Sequence, residues 1–394
     1  MKNIVICGST GSIGRQALEV CAWFPLRLRP VALVGGSNIQ LLAEQVRQFK
    51  PQAVALADVG KYADFKALLA EIPNCHTEIL VGEEGVLQAA AWPGADMQVA
   101  AISGLAGLQP TLQGLAAGLD IAFANKEVLV AAGELVMQKV AAGKSRFLPV
   151  DSEHSAIWQC LNSPEKPWAT QREVASLLLT CSGGPFREAG MAEIAAAGVA
   201  ETLRHPTWQM GAKITVDSAT LLNKGLEVIE AHWLFNLPYA QIEAVIHPES
   251  IIHSMVQYSD GALLAQLSYP DMRLPIQYAL TYPERLANSL KPLNFAELGS
   301  LTFQKPDEER FPCFRLAKEA GLAGGTMPAV LSGANEALVG AFLAGRIRLG
   351  QIAEGLAAVL AAHENISRPD LPAILQADGW ARNFVAQWLT KKNL

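Results

Sequence analysis

The sequence predicts an α/β protein: an N-terminal doubly wound (Rossmann-type) parallel sheet, a central α+β segment and a C-terminal helical segment. Three observations predict it. Short, almost wholly apolar runs alternate with amphipathic stretches as far as Val150, the pattern of strands covered on both faces by intervening helices. After Val150 the runs change to a glycine-punctuated strand and a hairpin. From Cys313 onward apolar residues recur at helical spacing.

Taken in order, residues 3–7, 30–34, 53–56, 79–81, 97–100, 121–123 and 147–150 read as strands. Residues 14–23, 41–49, 63–69, 84–90, 108–117 and 127–142 read as the helices between them. Residues 174–180 form a strand that leads into Ser182-Gly183-Gly184-Pro185-Phe186-Arg187. Residues 219–235 carry one long helical pattern. Residues 251–258 and 262–268 flank Ser259-Asp260-Gly261, a turn signal that predicts an antiparallel hairpin. The proline- and charge-rich residues 283–312 predict a linker or extended crossover. Residues 314–320, 329–344, 351–362 and a last segment near 381–389 predict helices. The expected domain limits are therefore 1–150, 151–285, 286–312 and 313–394.

The chain has 394 residues, 51% hydrophobic and 17% charged, more than one ordinary core accommodates. A net charge of −6, with no long basic run, argues against nucleic acid as a partner. Six cysteines without CxxC spacing predict reduced, buried thiols and a cytoplasmic setting. Lys2 leads straight into a strand-like run, so no signal peptide is expected. Residues 97–119 lack charge, yet Gln98, Gln109, Pro110, Gln113 and several glycines predict a strand, a turn and a helix. No membrane partner is expected.

Gly8-Ser9-Thr10-Gly11-Ser12-Ile13-Gly14 follows an apolar strand and opens a helix. In a dinucleotide site Gly8 makes the sharp turn, Gly11 admits a pyrophosphate to the backbone, and Gly14 lets helix and strand approach. The helix N-terminus adds partial positive charge. An ordinary strand–helix turn is the competing reading. At the end of the second strand, Val34-Gly35-Gly36-Ser37-Asn38 offers no acid for a ribose 2′-hydroxyl. Gly36 leaves room, and Ser37 and Asn38 can donate to a 2′-phosphate, so NADP is favoured over NAD.

Asp151, Glu153 and Glu227 lie in two unusual strings, Asp-Ser-Glu-His-Ser-Ala-Ile at 151–157 and Asp-Ser-Ala-Thr-Leu-Leu-Asn-Lys-Gly-Leu-Glu at 217–227. At an extended strand end residues i and i+2 point the same way, so Asp151 and Glu153 are expected to grip one ion together. Asn223, Lys224 and Glu227 share one helical face. Carboxylate oxygens select a hard cation, Mg²⁺ or Mn²⁺. Asp217 reads as a helix N-cap. Ser182-Gly183-Gly184 offers hydroxyl and N–H groups to a phosphate, with a plain turn as the rival reading. The loop holding Trp208 and Met210 suits closure over a substrate, against the alternative that Trp208 is core. His232, His247 and His253 lack metal-ligand spacing and read as structural. Asn335 and Glu336 are expected to satisfy buried backbone or cap a neighbour. A simpler NADP-dependent dehydrogenase and a non-catalytic NADP-sensing module are the rival functions.

These strings resemble the 1-deoxy-D-xylulose 5-phosphate reductoisomerase family over essentially the whole chain. The resemblance rests on GSTGSIG at 8–14, ANKE at 124–127, DSEHSAI at 151–157, SGGPFR at 182–187, HPTWQMG at 205–211 and KITVDSATLLNKGLEVIEAHWLF at 213–235. It implies a metal held by Asp151, Glu153 and Glu227, with Co²⁺ a further option. It implies substrate binding by Lys126, Ser152, Glu153, Ser182, His205, Ser218, Asn223, Lys224 and Glu227, with Lys126, Glu153 and His205 catalytic. NADPH would be lined by Thr10, Gly11, Ser12, Ile13, Gly36, Ser37, Asn38, Asn125, Glu127 and Gly211. Trp208 and Met210 would belong to a mobile flap. The resemblance further implies a homodimer whose central domain, 151–285, is catalytic and dimer-forming. Ser37 departs from the Lys or Arg usual in the family, and Phe123 from a usual Leu.

Overall fold

The structure, a computed structural model, describes residues 1–161, 173–204, 208 and 210–392. The strands are β1 (Lys2–Cys7), β2 (Leu28–Gly35), β3 (Ala53–Leu56), β4 (Glu78–Val81), β5 (Met97–Ala100), β6 (Asp120–Phe123), β7 (Phe147–Pro149), β8 (Val174–Cys181), β9 (Ile242–Ile246), β10 (Ile252–Tyr258) and β11 (Leu263–Leu267). The helices of the first half are α1 (Ser12–Trp23), α2 (Ile39–Phe49), α3 (Tyr62–Ala70), α4 (Gly82–Ala90), α5 (Leu108–Ala116), α6 (Lys126–Ala142) and α7 (Ser152–Cys160). Beyond them come α8 (Met191–Ala196), α9 (Val199–Thr202), α10 (Ala212–Ala219), α11 (Leu222–Phe235), α12 (Arg273–Thr281), α13 (Phe295–Leu298), α14 (Pro312–Ala323), α15 (Met327–Leu343), α16 (Leu349–Ala362) and α17 (Leu371–Lys391).

Two compact units divide the chain. The first comprises Met1–Asn125, Val136–Ser155 and Asp271–Leu290. Its sheet runs β4-β3-β2-β1-β5-β6-β7, every pair parallel. β3 and β5 are buried along their whole length, which is why their sequences are apolar without alternation. The order reverses at β1, whose neighbours are β2 and β5. Doubly wound sheets bind ligands at that switch point, outside the C-terminal strand ends.

The second unit comprises Lys126–Leu135, Ala156–Pro270 and Lys291–Leu394. Its four-stranded sheet runs β11-β10-β8-β9. The predicted hairpin is present, with Met255 opposite Ala265 in antiparallel register, while β8 and β9 are parallel. Trp158, Leu226, Ile229 and Phe235 are fully buried in this unit. The C-terminal helices follow the predicted pattern, α17 opening on an Asp370 cap that accepts from Ala373 N.

Two expectations need correction. The helix expected over 219–235 begins late: α10 ends at Ala219, Leu221 takes a left-handed φ of 55°, and α11 then runs from Leu222 to Phe235. Helix periodicity does not register that break, since it depends on a single residue. The stretch 283–312 holds α13 and pairs Gln304 with Ile246 at the edge of β9. Asp151 and Glu153 do not sit on an extended strand end. β7 stops at Pro149 and the chain turns at once into α7. Among the described residues no helix is long and apolar enough to cross a membrane.

Candidate active site

The glycine turn follows β1 directly. Gly8 has φ +88°, and a Cβ there would meet the Ala101 carbonyl; a Cβ on Gly14 would meet the Gly8 carbonyl. Both positions therefore require glycine. Gly8 N and Ser9 N donate to Val34 O at 3.0 and 2.8 Å, and Gln45 Nε2 donates to Ser9 O at 2.8 Å. The turn is thus fixed from β2 and α2. Gly11 caps α1 without a side-chain bond, and no acid stands in the first turn, so the helix end keeps N–H donors and partial positive charge for an anion. These residues fit a dinucleotide pyrophosphate.

Gly36 is exposed with open space around it, and Ser37 and Asn38 are exposed beside it. Asn38 Oδ1 caps α2, accepting from Leu41 N at 3.2 Å, which leaves its Nδ2 as the donor. Asn125 is buried and donates to Gly104 O at 2.9 Å and to Ile102 O. A cavity of about 390 Å³ lined by Lys2, Arg27, Tyr282 and Glu284 lies at the opposite, N-terminal ends of β1 and β2.

Asp151 stands at the N-terminus of α7, its carbonyl accepting from Ser155 N at 2.8 Å. Glu153 lies in the first helical turn, where the helix dipole favours an acid. Ser152 Oγ donates to Glu153 Oε2 at 2.7 Å. The two carboxylates flank a helix start, and strand alternation is not what presents them. Both residues are half-buried, and carboxylate oxygens are the ligand type that suits a hard divalent cation.

In the second unit, Asn223, Lys224 and Glu227 occupy the first two turns of α11. Lys126, the first residue of α6, donates from Nζ to Asn223 Oδ1 at 2.9 Å and to Glu227 Oε1 at 3.1 Å. Lys224 Nζ and Asn223 Nδ2 donate to the other and the same carboxylate oxygen respectively. The side chains of Lys126, Lys224 and Glu227 are only 7%, 2% and 2% exposed. Two buried ammonium groups thus meet one carboxylate through charge-assisted hydrogen bonds.

The Ser182 segment has a related construction. Gly183 and Gly184 both have positive φ, +80° and +68°, a backbone that favours glycine. Gly184 N donates to Ser182 Oγ at 3.2 Å. A Cβ on Gly184 would lie 2.6 Å from Ser218 O, so glycine lets this loop rest on the end of α10 that carries Ser218. Arg310 Nη1 donates to Arg187 O and Ala189 O, both at 3.0 Å, and holds the loop from behind.

Asp217 is not an N-cap. It is buried in the last turn of α10, 2.9 Å from Lys213 Nζ, and accepts from Asn335 Nδ2 at 2.8 Å. Lys213 also donates to Glu127. Asn335 therefore serves a side chain rather than backbone, and Glu336 pairs with Arg382 at 2.5 Å. Burial alone would raise the Glu127 pKa, but the charge and hydrogen bond of Lys213, with Lys126, hold it below the usual carboxylate value. Sequence reading passed over Lys213, although Lys213 and Asp217 stand at i, i+4.

His205 lies outside the described residues. Trp208 is half-buried with its ring 6.1 Å from that of His253, and Met210 is half-buried. Gly211 caps α10 and is exposed. The three histidines read as structural are so: His232 Nδ1 meets Leu237 O at 2.6 Å, His247 Nε2 accepts from Ile251 N and Ile252 N, and His253 Nε2 meets Ser268 Oγ at 2.8 Å.

Comparison with known proteins matches three family models along the chain. Residues 4–133 match 1-deoxy-D-xylulose 5-phosphate reductoisomerase, 147–235 its C-terminal domain, and 267–384 the DXP reductoisomerase C-terminal domain. A 1-deoxy-D-xylulose 5-phosphate reductoisomerase from Pelotomaculum thermopropionicum is 53% identical over 98% of this chain and 97% of its own. One from Gloeobacter violaceus is 50% identical over 100% and 98%. Among solved structures, a DOX-P reductoisomerase in complex with NADPH, fosmidomycin and magnesium has a TM-score of 0.94 at 39% identity, covering 99% of this chain and 98% of that one. The enzyme from Zymomonas mobilis in complex with NADPH has a TM-score of 0.90 at 38% identity, covering 98% and 99%.

Proposed function

We infer function from one premise: the chain belongs to the 1-deoxy-D-xylulose 5-phosphate reductoisomerase family. It is an NADPH- and divalent-metal-dependent oxidoreductase that rearranges and reduces 1-deoxy-D-xylulose 5-phosphate to 2-C-methyl-D-erythritol 4-phosphate, on the methylerythritol phosphate route to isoprenoids. Within the chain, the observation that carries this reading is the buried set of Lys126, Asn223, Lys224 and Glu227.

Asp151, Glu153 and Glu227 are the proposed metal ligands, for Mg²⁺ first and Mn²⁺ or Co²⁺ as alternatives; the preference of hard divalent cations for carboxylate oxygens supports this. When bound, the cation supplies Lewis acidity at the ketone and adjacent hydroxyl, and the nicotinamide supplies hydride. Lys126 presents a charged Nζ for proton transfer and charge stabilisation. Ser182, Ser218, Asn223 and Lys224, with Ser152 and His205, hold the phosphate and hydroxyls, so that remote binding orients the reacting carbons. Trp208 and Met210 cover the substrate and exclude water. Thr10, Gly11, Ser12, Ile13, Gly36, Ser37, Asn38, Asn125, Glu127 and Gly211 line NADPH. The assignment of residues 1–150 to NADPH, 151–285 to catalysis and dimerisation, 286–312 to a linker and 313–394 to a helical domain belongs to the same reading.

The chain is further proposed to act as a cytoplasmic homodimer. None of the six cysteines is in a disulfide. β11 is an edge strand with Leu263 and Leu264 50% and 42% exposed, the kind of edge a second copy covers.

The test is product identification after incubation with the pentulose phosphate, NADPH and Mg²⁺. The branched polyol phosphate should form as NADPH is oxidised, chelator should stop the reaction, and Mg²⁺ or Mn²⁺ should restore it. NADPH oxidation without a branched product would favour a simple dehydrogenase. Full activity after chelation would remove the metal from the assignment.

A further inference from the structure

We propose that Lys213 is a positioning residue: through Glu127 and Asp217 it ties the turn carrying Lys126 to the base of the Trp208 and Met210 segment, and so keeps Lys126 on Asn223 and Glu227. The inference rests on the reductoisomerase reading for its assay.

Lys213 Nζ lies between two carboxylates, Glu127 on α6 and Asp217 on α10. The Asp217 side chain is 2% exposed and that of Glu127 12%. Asp217 is fixed in turn by Asn335 of α15. A chain of contacts thus runs from α15 through α10 to the first turn of α6, all within one unit. Glu127 is the immediate neighbour of Lys126, whose Nζ makes the contacts to Asn223 and Glu227. At the other end, Lys213 follows Gly211, the N-cap of α10, by two residues, and Thr215 N and Oγ1 both bond the Gly211 carbonyl. Lys213 is therefore seated in the first turn of α10, three residues after Met210.

Local physics does not place a lysine there. A cation in the first turn opposes the helix dipole, and Glu127 at the head of α6 is already favoured by its own helix. What the lysine gains is tertiary: it neutralises two buried carboxylates from different helices and fixes their spacing. Displacement of the Lys126 turn by a fraction of an ångström would misalign a group in contact with the site, and misplacement of about 1 Å can cost on the order of 10²-fold in rate.

The experiment measures kcat at saturating NADPH and pentulose phosphate alongside the melting temperature. The parent's own turnover tests the reductoisomerase reading separately. Lys213→Met should lower kcat about tenfold or more, with a smaller change in KM. Adding Asp217→Asn removes one uncompensated charge while keeping the partner for Asn335. The double variant should regain melting temperature while kcat stays low. Recovery of kcat together with melting temperature would show a merely structural role and overturn the proposal, as would a Lys213→Met kcat within about twofold of the parent. If neither variant folds, Glu127→Gln weakens the same tether isosterically by removing its charge. A fall in its kcat at saturating NADPH with parental melting temperature supports the proposal, and a kcat within about twofold overturns it.

Discussion

At Glu227 one carboxylate receives Lys126, Asn223 and Lys224 out of contact with bulk water. Glu227→Gln leaves an amide oxygen that still accepts, so the fold should persist with a lower melting temperature. Turnover should fall about 10²–10³-fold, the scale for losing one charge-stabilising group; unchanged NADPH oxidation would take Glu227 out of the ligand set. Gly184→Ala tests the loop proposed to hold the phosphate. Its φ of +68° and the Ser218 carbonyl 2.6 Å from the added carbon should cost about 1–3 kcal/mol and raise KM for the pentulose phosphate. Glu127 supplies a pH test. Its folded pKa lies below the ordinary 4.5, so its stabilisation is complete above that value and is lost as pH falls through the folded pKa. In Lys213→Met burial acts with less opposition, the Glu127 pKa rises, and acidification then favours the folded state. The melting-temperature gap between parent and variant should narrow from pH 7 toward pH 4.5; a constant gap would deny the coupling.

Elements show how the site is carried. α6 has a non-helical residue at Ala132 (φ −137°, ψ 26°), and one residue later Gly133 lies where any Cβ would meet the Trp233 indole of α11. Gly133→Ala must push a large ring aside, at about 1–3 kcal/mol by the usual cost of overpacking, and the melting temperature reads it directly. The element pattern itself was legible. All seven strands of the parallel sheet and the helices between them follow from apolar runs and amphipathic spacing, with limits shifted by one or two residues. Where the structure departs, one residue overrides a periodicity: Leu221 enters the left-handed region and delays the helix expected from 219 until Leu222, and the stop of β7 at Pro149 turns an expected strand end into a helix start. The misreading of Asp217 has the same origin, since a cap and a buried last-turn acid look alike until the break at Leu221 is known.

At the scale of the whole molecule, the chain carries a net charge of −6, yet its substrate and cofactor are anions. The attraction proposed for them is therefore local, at the head of α1 and at lysines in buried positions, where screening by salt is weak. Light scattering should give about twice the chain mass of 42.1 kDa, and Leu264→Lys on the β11 edge should shift the protein toward single chains; a monomeric parent would sink the homodimer. What the sequence determined alone was whatever repeats or abuts along the chain: buried parallel strands, the glycine turn after β1, and the shared face of Asn223, Lys224 and Glu227. Tertiary structure decided the partners. Lys126 reaches Asn223 across 97 positions, and Asn335 reaches Asp217 across 118. Periodicity reports which face of an element is apolar, but the pairing of buried charges depends on which helices pack together, and no local pattern encodes that.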